Sequence, residues 1–212
     1  MQKNIVIWDL ICYLAFPLLV WNVLRDYIGD YPAMLLSTIP GIVYSCIRFF
    51  AVKKINTFGI FMIVTLIAST LVNVLAGSAI QMLWNNVYYA FAMAAFFLFT
   101  ILIKRPLVLL FTLDFAELQG QSRKKMKKIF YEKRFYMIFN LITFGFAMRE
   151  VILGIIKVRL ISAYGIEAFD KGLIIRNILS WGITALCVLG FIYISKLLHT
   201  QTANYTGKFK TY

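Results

Sequence analysis

The chain has 212 residues, 61% of them hydrophobic and 15% charged, with a net charge of +13. Soluble globular chains hold roughly 45–50% apolar and about 25% charged residues, and a fold of this length has too little interior to bury the surplus. An ordinary soluble domain is excluded, and lipid is the natural solvent for the excess.

A membrane-spanning helix needs about 20 mostly apolar residues. Six stretches meet that length, near 5–24, 33–51, 58–77, 84–103, 135–156 and 173–194. β-Barrel strands alternate polar and apolar residues over about ten positions, whereas a run such as 91–103 is apolar on every side. The expected fold is therefore an all-α integral membrane protein. It forms one domain over residues 1–212, with six transmembrane helices and a cytoplasmic amphipathic, basic helical loop between the fourth and fifth.

The first stretch is longer than a signal-peptide core, carries Asp9 where a basic leader would end, and lacks a small-x-small cleavage pattern. It is read as an uncleaved helix. Asp9 sits about one turn inside it, with Arg48 or Lys104 as prospective partners. Asp9, Arg48, Lys104 and Arg105 form a candidate polar site on the cytoplasmic side. Pro17 and Pro40 are expected to kink the first and second spans. Gly29 and Pro32 mark the turn between those spans. Trp8, Trp21 and Trp84, with Tyr27, Tyr31, Tyr88 and Tyr89, read as interfacial belts. Asn22, Asn73, Gln81, Asn85 and Asn86 gather toward the outer side. Ala90, Ala94 and Ala95 would let a neighbouring helix come close to the fourth span.

Pro106, in Lys104-Arg105-Pro106-Leu107, lacks a backbone donor and should end the fourth span. Residues 107–118 are apolar but too short to cross, so a helix at the interface or beneath the bundle is expected. After a break at 119–122, residues 123–134 read as a basic amphipathic helix, with Met126, Ile129 and Phe130 on one face. Its cations Arg123, Lys124, Lys125, Lys127 and Lys128 are a candidate docking face for anionic lipid or a protein partner, each contributing ~1 kcal/mol near an anionic leaflet. Residues 104–134 thus form the one sizeable inner loop, and residues 157–172 the longest outer one.

Charge sets the orientation. With the N-terminus inside, sixteen of the 22 Lys and Arg fall in inner segments and four in outer ones, while Arg149 and Arg176 lie within spans. Basic residues favour the cytoplasmic side, so both termini are expected there. No nucleic-acid-binding module surrounds these cations, and nucleic acid is not an expected partner.

Ionisable residues inside a bilayer are costly and mark functional candidates. Arg149, Glu150 and Arg176 are the clearest set. Adjacent helical residues point about 100° apart, so Glu150 is expected to pair across to Arg176 and not with Arg149. The pair either fixes helix packing or forms a substrate, ion or proton site. Asp9 and Glu150 are expected near opposite faces. His199 is the single histidine, Cys12, Cys46 and Cys187 fall within spans as packing thiols, and no P-loop, HExxH or CxxC occurs. No catalytic residue, cofactor or metal site is therefore expected.

Trp8-Asp9-Leu10 with Pro17-Leu18, then Tyr44-Ser45-x-x-Arg48 with Lys53-Lys54, then Trp84, Tyr88-Tyr89 and Lys104-Arg105-Pro106-Leu107, follow one another in the first 110 or so residues. In order and spacing this resembles the bacterial intracellular septation protein A superfamily. Arg149-Glu150 and the longer loops have no counterpart there. The resemblance implies a bacterial inner-membrane protein connected with envelope maintenance or division, and carries over no catalytic residues. The leading expectation is a non-enzymatic envelope protein acting through lipid or protein partners, as a monomer or a homo-oligomer. The alternatives are a small transporter or channel with an intramembrane Glu/Arg site, and an immunity or resistance factor against a membrane-active agent.

Overall fold

The structure is a computed structural model that describes residues 5–51 and 56–208. Lys53 and Lys54 lie outside the described residues, as do the side chains of Arg48, Cys187 and His199. The chain is an all-α bundle. Helix α1 (Ile5–Leu10) runs through a π-helical turn (Ile11–Ala15) into α2 (Phe16–Ile28). There follow α3 (Asp30–Ala51), α4 (Thr57–Val74), α5 (Ala79–Leu102), α6 (Leu107–Leu118), α7 (Arg123–Phe130) and α8 (Lys133–Tyr164). A short 3-10 turn (Gly165–Glu167) leads into α9 (Ala168–Lys208).

Among the described residues, three helices are long and apolar enough to cross a membrane: Trp8–Ile28, Thr57–Val74 and Ala79–Leu102. Only 6% of the α4 window is buried, so Ile60, Val64, Ile67 and Leu71 turn outward. A soluble helix would not present so continuous an apolar face. Helices α3, α8 and α9 exceed that length at 22, 32 and 41 residues.

Local chemistry explains the breaks. Pro17 has no N–H to return to the preceding turn. The ladder there widens to i→i−5, with Phe16 N–H bonding the Ile11 carbonyl. The π-turn presses on α3, where a Cβ on Gly41 would lie 3.2 Å from the Tyr13 ring. Pro40, expected to kink the second span, sits inside the unbroken helix α3. Helix α2 stops at Gly29, whose φ of 85° suits glycine. Asn56 caps α4 by accepting the Gly59 N–H at 2.8 Å. Tyr31 Oη donates to the Asn73 and Val74 carbonyls at the other end of α4, groups a helix end leaves unbonded. Helix α5 stops before Lys104 (φ 57°) and Pro106.

One inner-loop expectation holds and another changes. Residues 107–118 do pack beneath the bundle, burying Val108, Leu109 and Leu113 against Phe130, Phe135 and Phe139. The basic segment 123–134 is not one helix: α7 ends at Phe130, and Lys133 and Arg134 already belong to α8. Residues 157–172 are not a loop either. Helix α8 continues to Tyr164, leaving only Gly165–Glu167 to turn the chain.

A second apolar cluster closes the opposite end, around Trp21, Met34, Met82, Val87 and Ile161. Trp21 is only 1% exposed, so it is a core residue and not part of an interfacial belt. Helix α5 packs closely on α8: Ala90 and Ala94 are buried there, and a Cβ on Gly154 would come within 2.8 Å of the Phe91 ring. Ala95 faces outward.

Candidate functional site

Between the two apolar clusters lies a cavity of ≈ 1560 Å³, larger than the roughly 300–1,000 Å³ of drug-sized ligand pockets. Helix α8 lines it with one stripe, Phe146, Arg149, Glu150, Leu153, Lys157 and Ile161. At 1.5 Å per residue that stripe is about 22 Å long. Residues from the α6–α7 connection, Gln119 and Gln121, reach the cavity from one end, and Ala168 and Phe169 of α9 from the other.

The expected charged set is present, with a different pairing. Arg149 Nη1 meets Glu150 Oε1 at 2.8 Å, and both side chains are largely buried. Arg149 Nη2 donates to Ser180 Oγ on α9. The Cα–Cβ vectors of neighbours do diverge, but the long arginine arm folds back across that angle. Glu150 therefore pairs with its own neighbour. Arg176 lines the same cavity and lies near Glu150 in the field around Tyr89.

Asp9 also lines this cavity. One turn further on, Tyr13 binds α3 through a 2.6 Å hydrogen bond between Tyr13 Oη and Ser45 Oγ. The Tyr13 carbonyl accepts from Asn177 Nδ2 of α9 at 3.4 Å. Lys104 and Arg105 are exposed at the α5–α6 turn, away from the cavity. Of the four-residue polar site expected on that side, Asp9 faces the cavity, Lys104 and Arg105 do not line it, and the side chain of Arg48 lies outside the described residues.

Several lining residues escaped the sequence reading. Lys157 sat in a supposed loop, yet it faces the cavity with Arg176, Glu150 and Arg149 near it. Tyr89, grouped with a belt, lines the cavity and donates to the Thr65 carbonyl at 3.2 Å, whereas Tyr88 is 65% exposed. Asn86 Nδ2 donates to Asn73 Oδ1 at 2.7 Å, joining α5 to α4 at the cavity wall.

A second polar cluster holds the α6–α7 end together. Asp114 is 1% exposed. Its carboxylate accepts the Phe58 N–H at 3.0 Å, the Thr57 hydroxyl at 3.3 Å and Arg123 Nη1 at 2.6 Å. Glu117 accepts from the same Arg123 nitrogen at 2.9 Å. These bonds, Glu117's first and then Asp114's, hold the Arg123 guanidinium above its ordinary pKa. Arg123 thereby docks α7 on α6, while Lys124, Lys125, Lys127 and Lys128 remain exposed.

Among the described residues no group of three or more His, Cys, Asp and Glu is placed to hold a metal. Cys12 and Cys46 are free thiols. The chain matches no family model, no curated protein and no solved structure.

Proposed function

We propose that the chain is a small polytopic membrane protein that takes an amphipathic molecule of the bilayer into its central cavity and moves it. The observation that carries this reading is the cavity itself, long and mostly apolar but with charged side chains concentrated along α8 and α9. Ligand sites of membrane carriers combine these properties: charge in a bilayer is kept facing a bundle interior or a cavity, and apolar walls accept a hydrocarbon chain. In this reading α3, α8 and α9 cross the membrane with the three most apolar helices, and the basic α6–α7 end faces the cytoplasm.

The test is lipid movement in proteoliposomes containing fluorescent-tailed phospholipid, followed by quenching of the outer leaflet. Wild type is expected to exchange the probe between leaflets. Glu150→Gln is expected to stop exchange while leaving insertion and size-exclusion behaviour intact. Exchange at the rate of protein-free liposomes, for neutral and anionic headgroups alike, would reject a carrier role.

One observation favours a second reading. The exposed lysines of α7 form a cationic face outside the cavity, suited to anionic lipid or an acidic partner protein. With the resemblance to the septation protein A superfamily, that face supports a non-enzymatic role in the bacterial inner membrane, organising the envelope or division apparatus through partners. Capture of one envelope or division protein by the full chain, lost when the lysines are neutralised, would favour it.

A further inference from the structure

We infer that the α8–α9 seam binds the phosphate monoester headgroup of an amphiphile, with Lys157 and Arg176 as its principal ligands. The inference rests on the cavity being an amphiphile's compartment and names the class of molecule.

Register comes first. The Arg149–Ser180 bond and a Cβ on Gly190 meeting Ile142 at 3.1 Å set the register of the antiparallel α8 and α9 to within about one turn. Arg176 then falls level with residues 153 to 156 of α8, between one and two turns beyond Arg149 and within about one turn of Lys157.

Charge comes second. Glu150 balances Arg149 through the 2.8 Å pair. Lys157 and Arg176 have no hydrogen bond or ion pair to any described residue, although both line the cavity. The charges acting on Lys157 come from Arg176, Glu150 and Arg149. Three cations and one carboxylate leave two positive charges. Asp9 lines the cavity from α1, and no hydrogen bond or ion pair joins it to Lys157 or Arg176, so the two charges counted are those of the α8–α9 seam. A carboxylate ligand would neutralise one of the two. A phosphate monoester, carrying about −1.5 to −2 at pH 7, matches both.

Chemistry comes third. A guanidinium offers a planar fork to two phosphate oxygens, and an ammonium adds a mobile point charge. Tyr89 lies on the facing helix within the field of Arg176 and Glu150. Leu153, Ile161 and Phe169 continue the wall as apolar surface on which the hydrocarbon chain can lie.

The experiment uses the full chain in phosphatidylcholine nanodiscs, titrated with dodecyl phosphate, dodecanol or inorganic phosphate and read by native mass spectrometry. One dodecyl phosphate per chain is expected, about tenfold or more tighter than either other probe. Lys157→Gln and Arg176→Gln should each weaken it by about tenfold. Lys157→Arg, which keeps the charge, and Lys171→Gln, outside the cavity, should not. Dodecanol binding as well would overturn the headgroup assignment, and inorganic phosphate binding as well would overturn the amphiphile. Unchanged dodecyl phosphate binding in both Gln variants would overturn the residue assignment, and size-exclusion profiles identify any variant that has not folded. Selective binding without lipid movement would remove the carrier function and leave this site standing. Movement without headgroup selectivity would do the reverse.

Discussion

Asp114 shows how much one side chain can organise. It caps the start of α4, pairs with Arg123 and belongs to α6, so three segments meet at one carboxylate. Removing one partner of a buried pair costs about 3–5 kcal/mol. Here only the carboxylate is fully buried, so Asp114→Ala is expected to cost less, about 1–3 kcal/mol in detergent unfolding for the donors it leaves unmet, and Arg123→Gln, which leaves that carboxylate without its cation, a comparable amount. A double-mutant cycle should show coupling between them; additive losses would mean that the bond does not latch α7. Because the folded-state pKa of Arg123 is raised, its contribution is complete below arginine's ordinary pKa and is lost only above the raised folded value. The difference in unfolding midpoint between wild type and Arg123→Gln should therefore be flat from neutral to mildly alkaline pH. Asp114 was visible in the sequence as an acid in an otherwise apolar helix, but its partners were not, since Phe58 is 56 positions away. Arg149 and Glu150 were legible as a site and misread as a geometry. Helical periodicity gives the direction of a Cβ, not the place where four further bonds put a guanidinium.

Helices were easier to read than their ends. Each of the six predicted stretches overlaps a helical segment of the described residues, and the Pro106 break appears where a missing N–H requires it. Residues 157–172 were misplaced because Lys157, Arg159 and Lys171 lower the hydropathy of the segment. Hydropathy reports where lipid ends, whereas a helix continues as long as its backbone bonds continue. The basic face of α7 was legible from its i, i+3, i+4 apolar spacing. Four exposed lysines near an anionic leaflet contribute ~1 kcal/mol each. Neutralising Lys124, Lys125, Lys127 and Lys128 to Gln is therefore expected to remove most anionic-lipid enrichment around the purified protein, read by lipid mass spectrometry. Enrichment equal to wild type would show that these lysines only solvate the surface.

At the scale of the whole molecule, the cavity could not be foreseen. Its walls come from helices spread from Asp9 to Trp181, and no sequence window contains it. Orientation, by contrast, is a property of the loops and can be checked directly. With Ser122 and Glu167 at opposite ends of the bundle, Ser122→Cys is expected to react with a membrane-impermeant thiol reagent only after permeabilisation. Glu167→Cys should react in intact cells. The opposite pattern would invert the topology and place the α7 lysines on the outer surface.

The short Gly165–Glu167 turn also bears on the order of synthesis. It makes α8 and α9 a tight hairpin carrying Arg149, Glu150, Lys157 and Arg176. Chains fold broadly from the N-terminus as they are made, so the walls contributed by α2 to α6 emerge before the hairpin. The cations thus enter last and together, against walls that are apolar apart from hydroxyl and amide groups such as Ser37, Thr65, Asn73 and Asn86. With α8 crossing the membrane as proposed, a chain ending before α9 would hold Lys157 in the bilayer without the seam that receives it, and quality-control proteolysis should remove that product first.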